Sequence, residues 1–344
     1  MESKRKLFLQ LLFLFAVMGI TMICVFRGED LSQVLCYIRQ ADPVYLVPAV
    51  LLVLLFIWGE SSIIQLMLRS FGERIPAGRC YLYSCIGFFF SCITPSATGG
   101  QPAQIYYMKK DRIPVPVSTV ILMIVTILYK MVLVVIGSGV MLLRVFGRME
   151  RIIPVEGWCL LGLALNIGCV TLMCFLVFHP SLARRMLLAL LGLAERLHLM
   201  KRKPERREHL QEAMELYQET AGYLKQHGRV VLLSFVITLL QRITLFFVTS
   251  LTYLAFGLRG ESLLELLILQ AMISVAVDML PLPGGMGISE KLFLTLFLPV
   301  FGAELTLPAM LVSRGISYYG QLFISAVLTG WAGLRIGKSG RKSE

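Results

Sequence analysis

The sequence predicts an all-α polytopic membrane protein, and three observations support this prediction. Of its 344 residues, 57% are hydrophobic and only 16% are charged, whereas soluble domains carry about 25% charged residues. The mean hydropathy is +0.76. Several separate windows reach the roughly 20 apolar residues with which a helix crosses a bilayer. The apolar residues are therefore predicted to form membrane spans within a single transmembrane domain, residues 1–344.

Six segments are long and apolar enough to be predicted as full membrane spans. The first follows the basic residues Lys4, Arg5 and Lys6 and is not followed by a small-residue cleavage site, so we interpret it as an uncleaved span. The six predicted spans are 7–26, 44–68, 117–143, 157–179, 229–256 and 307–333.

Two further apolar regions are interrupted by proline and glycine. Residues 80–108 are broken at 94–102, and residues 262–301 are broken at 281–287. Proline removes a backbone donor and clashes with the preceding turn, while glycine permits non-helical dihedral angles. Each region is therefore predicted to be a re-entrant hairpin made of two half-helices.

The distribution of lysine and arginine predicts the orientation of the chain. If both hairpins leave the membrane on the side from which they enter, the cytoplasmic segments carry 23 of the 33 Lys and Arg residues and the outside segments carry six. Cytoplasmic loops carry this excess in membrane proteins. We therefore predict a multi-pass protein of the cell membrane with both termini in the cytoplasm. The same rule explains most of the net charge of +12 without a nucleic-acid partner.

Under this topology the two hairpins enter the membrane from opposite sides. Residues 44–143 and 229–333, each with a hairpin between two spans, are therefore predicted to form an inverted repeat. Short segments interrupted by Gly and Pro in matching positions of two halves indicate a transporter binding site. Residues 180–228 are predicted to be a basic cytoplasmic loop with a surface helix over 205–225. This loop sets the topology and faces lipid, or it provides a docking site for anionic lipid or a partner.

Several charged side chains are predicted at membrane depth, where charges are costly and usually pair or mark a pathway. The acids are Glu60, Asp278 and Glu290, and the bases are Lys130, Arg242, Lys291 and Arg314. Lys291 is also able to extend to the membrane surface. These charges form ion pairs that hold the helices together, or they form a site for a lipid headgroup. The sequence does not decide between these two roles.

Each break is followed by a half-helix whose N-terminus is predicted to point into the membrane. Free N–H groups and the positive end of the helix dipole favour an anion there, and glycine lets a ligand approach the backbone. A helix kink is the alternative at each break. The predicted headgroup-binding residues, in one shared cavity, are Thr94, Ser96, Thr98, Gly99, Gly100, Gln101, Gln104, Lys130, Arg242, Gly284, Gly285, Gly287 and Arg314, with Glu60, Asp278 and Glu290 as their charge partners.

The sequence contains no pattern of a common enzyme or metal site. There is no GxxxxGK[ST], GxSxG or HExxH motif. The eight cysteines include no Cys-x-x-Cys pair and the four histidines show no ligand spacing. We therefore predict no metal and no cofactor. Asp278 and Glu290 are candidates for a general acid–base pair, but no nucleophile is predicted beside them.

Three stretches resemble one known family, and the resemblance covers roughly residues 5–335. Residues 93–110 (ITPSATGGQPAQIYYMKK), 280–290 (LPLPGGMGISE) and 311–322 (LVSRGISYYGQL) are similar to signature stretches of the lysylphosphatidylglycerol synthase transmembrane-domain, or flippase-like, family. The second stretch matches the family pattern Pro-Gly-Gly-x-Gly-x-x-Glu. The first differs from many members, because glutamines stand where those members carry an acid and an arginine.

The resemblance implies a function in lipid metabolism. In full-length synthases, this domain is implied to move aminoacylated phosphatidylglycerol across the bilayer, and a separate soluble domain makes that lipid from aminoacyl-tRNA. The chain ends soon after its last predicted span, so we expect no aminoacyltransferase domain and no enzyme activity, although the family label is phosphatidylglycerol lysyltransferase.

The expected function is therefore a lipid translocase. Its membrane lipid substrate is expected to be an anionic or aminoacylated phospholipid or a polyprenyl-phosphate-type lipid. The alternatives are a membrane scaffold that partners a lipid synthase, and a lipid-modifying enzyme. The resemblance also links the chain to antibiotic resistance.

Overall fold

The structure is a computed structural model that describes residues 31–94, 97–179, 185–186, 189 and 204–339. Within these ranges every regular element is helical, which confirms the predicted all-α class. The predicted span 7–26 and residues 180–184, 187–188 and 190–203 of the basic loop lie outside the described residues.

The main α-helices of these ranges are numbered in chain order. They are α1 Leu31–Gln40, α2 Pro43–Ser70, α3 Ala77–Ile93, α4 Gly100–Lys110, α5 Val115–Val145, α6 Glu156–Phe178, α7 Pro204–Gln226, α8 Gly228–Ala255, α9 Leu263–Val277, α10 Ile288–Arg314 and α11 Gln321–Ser339. Short 3-10 segments occupy Glu150–Val155 and Pro283–Gly285, and a π-helical turn occupies Gly315–Gly320.

Five stretches of the described residues are long and apolar enough to cross a membrane. Four of them overlap the predicted spans 44–68, 117–143, 157–179 and 229–256. The fifth, Pro283–Trp331, is much longer than the predicted last span, because α10, the π turn and α11 follow one another directly.

A bend at Gly302 divides this long stretch. Gly302 has φ 74° and ψ 169°, which are not helical values. The predicted second hairpin ends at residue 301, so its second arm corresponds to the first part of α10. The bend thus lies between the predicted end of the second hairpin and the predicted start of the last span at residue 307, and both bounds stay predictions.

Both predicted breaks are present, with different boundaries. The first break ends at Gly99, because α4 already starts at Gly100. The predicted end at residue 102 is wrong, since Pro102 lies in the first turn of α4, where backbone N–H groups have no partner within the helix. The second break starts earlier than predicted, because α9 ends at Val277.

Helices of the two predicted repeats pack against each other in a reciprocal pattern. The largest helix–helix interface of the described residues joins α2 and α8, which begin the two repeats. Helix α3 of the first hairpin packs on α11, which ends the second repeat, and α9 of the second hairpin packs on α5, which ends the first. Such reciprocal contacts are expected of any two repeats related by a pseudo-two-fold axis, and the inverted orientation stays a prediction.

The surface helix predicted over residues 205–225 is present as α7, and one of its sides is buried. Tyr217, Ala221 and Leu224 are buried in a cluster with residues of α5. The Tyr217 hydroxyl donates to the Leu176 carbonyl of α6 at 3.1 Å. Helix α7 is therefore attached to the membrane-spanning helices through this side.

Candidate functional site

The two breaks lie side by side, and Tyr318 of the π turn joins them. Its hydroxyl donates to the Cys92 carbonyl at 2.9 Å, at the end of α3. Its ring packs on Gly284 of the second break so closely that a Cβ at Gly284 would collide with it. Cys92, Ile93, Met286 and Tyr318 form one buried cluster. The two breaks are therefore neighbours in the fold.

Thr94 stabilises the first break through two hydrogen bonds of its side chain. Its buried hydroxyl accepts a hydrogen bond from the Gly99 amide at 2.9 Å and donates to the Phe90 carbonyl at 2.7 Å. Gly100 lets α4 approach α3, because a Cβ there would collide with Ser91. Gly99 and Gly100 thus serve contact between half-helices, rather than the approach of a ligand that the sequence suggested.

The two glutamines of α4 are held by neighbouring helices. The buried Gln104 amide donates to Glu60 Oε1 of α2 at 2.8 Å, and it has room because Gly87 of α3 has no side chain. The Gln101 amide donates to Thr126 Oγ1 of α5. Both side chains therefore fix the first hairpin in place.

Three glycines of the second break adopt left-handed backbone conformations. Gly284, Gly285 and Gly287 have φ values of 57°, 65° and 85°, which glycine adopts without steric cost. Gly285 is buried, and a Cβ there would lie 2.7 Å from Val277 Cβ. Gly285 therefore offers no open backbone to a ligand, whereas Gly284 and Gly287 are exposed.

Glu290 already caps the half-helix that follows the second break. Its Oε2 accepts from the Gly287 amide at 2.6 Å and from Ser289 Oγ at 2.9 Å. The carboxylate thus occupies the helix N-terminus, where the sequence suggested an anionic ligand.

Arg314, after the bend at Gly302, contacts the second break directly. Its Nε lies 3.0 Å from Glu290 Oε1, and its Nη2 donates to the Gly284 carbonyl at 3.2 Å. Its guanidinium carbon lies 5.0 Å from the centre of the Tyr318 ring. The side chain keeps 14% of its surface exposed. Arg314 is therefore the predicted base that lies at the meeting point of the two breaks.

A second ion pair lies at the other end of the same break. Lys130 Nζ of α5 is 2.6 Å from Asp278 Oδ2, and each side chain is 11% exposed. The second break is thus held at its start through Asp278 and after its end through Glu290.

Arg242 of α8 is buried in an aromatic environment. It is 3% exposed, and its guanidinium carbon lies 3.2 Å from the centre of the Tyr129 ring, with Phe56 and Phe246 further away. Its Nε and Nη2 have no hydrogen-bond partner among the described residues. Lys291 is exposed and does not belong to this buried set.

Part of the backbone at the two breaks is exposed. Thr98, Gly284 and Gly287 are exposed there, and Ser96 lies outside the described residues. Two cavities, of about 420 and 590 Å³, lie elsewhere on the chain. Gly100 and Gly285 are packed within their own hairpins, and a cavity shared by Gly99, Gly100, Gly284 and Gly285 stays a prediction.

Sequence reasoning did not identify two aromatic residues that organise this region. Tyr318 lies in the aromatic-rich stretch 311–322, but no pattern indicates that its hydroxyl reaches α3. Tyr129 directly precedes Lys130, yet it faces Arg242 instead. The available signal was an aromatic residue within four positions of a predicted buried charge, since Tyr129 precedes Lys130 and Tyr318 follows Arg314 by one helical turn.

The fold and the two breaks are those of a multi-pass, all-helical membrane protein. The chain belongs to the family described as the lysylphosphatidylglycerol synthase TM region, whose sequence profile matches residues 7–325. This match includes both breaks and all three signature stretches, and it confirms the resemblance. The family links the chain to lipid metabolism at a membrane. No protein with a curated description matches the chain.

Proposed function

We propose that the chain is a flippase-like lipid translocase of the cell membrane, which binds its lipid by the headgroup where the two breaks meet. The main support is that two non-helical segments lie beside a partly exposed arginine within an apolar, helical protein. At membrane depth, irregular backbone is tolerated only inside protein or along a water-filled cavity. Because Gly284 and Gly287 are exposed, we propose that they lie along a water-filled cavity.

The proposed architecture has six full spans, two opposed re-entrant hairpins and both termini in the cytoplasm. The reciprocal packing of α3 on α11 and of α9 on α5 supports an inverted repeat. The bend at Gly302 supports a return of the second hairpin to the side from which it entered. Two opposed hairpins would give the headgroup a polar path from each side of the membrane.

Cysteine labelling is expected to show that each hairpin returns to its own side. Cysteines placed at the exposed positions Ser262 and Ala303, in a cysteine-free background, are expected to react with a membrane-impermeant maleimide from outside. Cysteines at Gly78 and Lys109, which are also exposed, are expected to react only after the membrane is permeabilised. Labelling of Ser262 and Ala303 from opposite sides would refute the second hairpin.

Arg314 is the proposed contact for an anionic headgroup. A guanidinium forms strong charge-assisted hydrogen bonds with phosphate, so a headgroup phosphate competes with Glu290 and with the Gly284 carbonyl for Arg314. If Arg314 turns to a phosphate, Glu290 retains its hydrogen bonds from Gly287 and Ser289. The carboxylate is therefore not left without a partner when a lipid binds.

The proposed substrate is an anionic or aminoacylated phospholipid, or a polyprenyl-phosphate-type lipid, since all of these carry a phosphate. Native mass spectrometry of the purified protein is expected to show more bound phosphatidylglycerol than phosphatidylethanolamine or phosphatidylcholine of the same acyl chains, because the last two also carry a cationic amine, which Arg314 repels. Arg314→Gln is expected to remove this preference, and Lys225→Gln, at an exposed lysine of α7, is expected to retain it. Equal retention of all three lipids by the unmodified protein would contradict the proposed site.

A further inference from the structure

One acid and one base inside the protein remain without a direct ionic partner. Lys130 contacts Asp278, and Arg314 contacts Glu290. Among the described residues, no ion pair within 4.0 Å involves the remaining base, Arg242. The same holds for the remaining acid, Glu60. These two charges interact only at a distance, and Asp278 acts on Arg242 more strongly than Glu60 does.

Glu60 is surrounded by few groups that can fix its charge. Its Oε1 accepts from the neutral amide of Gln104 on α4. Among the described residues, the titratable groups that act on it electrostatically are Arg242 of α8 and the thiol of Cys85 on α3. On α5, Lys130 is held by Asp278, and Tyr129 stacks on Arg242. The carboxyl group of Glu60 is thus free to gain or lose a proton without breaking an ion pair.

Arg242, in contrast, keeps its charge. A guanidinium is not deprotonated in proteins. Tyr129 stabilises this cation through its ring face, but Nε and Nη2 have no acceptor among the described residues. A buried arginine with two N–H groups that have no acceptor stabilises any negative charge nearby.

The net charge of this buried set therefore depends on Glu60. The pairs Lys130–Asp278 and Arg314–Glu290 are neutral as units. With Glu60 ionised, Arg242 is balanced and the set is neutral. With Glu60 protonated, the set carries one positive charge, which attracts an anion strongly in a medium of low dielectric constant.

We infer that Glu60 is a proton-binding site which couples the binding of an anionic lipid headgroup to the uptake of one proton. This inference rests on the proposed function. The proton passes from the aqueous phase to a carboxylate oxygen of Glu60, and no other bond forms or breaks. By linkage, a proton on Glu60 strengthens headgroup binding, and a bound headgroup strengthens proton binding by the same factor.

The test measures proton uptake and affinity with one soluble probe, dihexanoyl phosphatidylglycerol, whose phosphodiester stays ionised between pH 5 and 9. Adding the probe to the purified protein in weakly buffered detergent is expected to remove up to one proton per bound lipid. The dissociation constant is expected to rise with pH by up to about tenfold per pH unit. This measurement on the unmodified protein requires no variant.

Glu60→Gln fixes a neutral side chain that still hydrogen-bonds with Gln104. This variant is expected to bind the probe without proton uptake and with an affinity that does not change with pH. The control Glu219→Gln, at an exposed acid of α7, is expected to behave like the unmodified protein.

Two results would overturn the inference and leave the proposed function intact. The first is probe binding by the unmodified protein without proton uptake. The second is an unchanged pH dependence in Glu60→Gln. A failure of the unmodified protein to bind the probe at any pH from 5 to 9 would instead refute the proposed function, and the inference with it.

Discussion

Lys130→Met is expected to lower the free energy of unfolding by about 3–5 kcal/mol, the usual cost of removing one partner of a buried ion pair. Lys130 Nζ lies 2.6 Å from Asp278, and both side chains are almost fully buried. Methionine keeps the length and the apolar part of lysine, so the main loss is the positive charge. Asp278 would remain as a buried carboxylate without a contact partner.

The matched variants separate this charge effect from a packing effect. Unfolding in mixed detergent micelles is expected to show that Lys130→Met with Asp278→Asn recovers most of the lost stability, because the double variant leaves no unpaired charge at positions 130 and 278. Lys225→Met, at an exposed lysine of α7, is expected to change stability by less than about 0.5 kcal/mol. Equal destabilisation of the single and double variants would show that the ion pair does not hold the second break.

Arg314→Gln is expected to abolish lipid transport, because it removes the cation that we propose to bind the headgroup phosphate. A stability loss is also expected, since Glu290 would lose its partner at 3.0 Å. The double variant Arg314→Gln with Glu290→Gln removes both charges, and the second glutamine keeps an oxygen that can accept from Gly287. We expect this double variant to fold like the unmodified protein and still to transport no lipid.

Folding and lipid transport of the double variant together show whether Arg314 binds the headgroup or has a structural role only. A folded double variant without transport supports the headgroup site. A folded double variant that transports normally would show that Arg314 has a structural role only. Arg314→Lys keeps the charge but loses the planar donor fork, and we expect partial transport from it.

The membrane spans were predictable because length and hydropathy alone define them. Four predicted spans overlap stretches of the structure that are able to cross a membrane. The breaks were also predictable, since Pro283, Gly284 and Gly285 oppose a continuous helix. Their exact ends were not, because proline fits the first turn of a helix, and Pro102 therefore lies within α4 rather than in the break.

The partners of the buried residues depend on tertiary packing, which the sequence does not encode locally. Composition indicated that acids and bases at membrane depth would pair, but it did not indicate that Lys130 pairs with Asp278. A glycine leaves space for a ligand or for a neighbouring helix, and Gly100 and Gly285 turn out to make room for Ser91 and Val277.

The most direct test of lipid translocation is a transport assay in proteoliposomes. Vesicles contain fluorescent phosphatidylglycerol in both leaflets, and an impermeant reductant destroys only the fluorophores it can reach. With the unmodified protein, we expect fluorescence to fall well below half, because lipid from the inner leaflet reaches the outside. Protein-free vesicles and vesicles with Arg314→Gln and Glu290→Gln are expected to stop near half. If the folded, unmodified protein also stops near half, the chain does not translocate this lipid, and a scaffold for a lipid synthase becomes the better account.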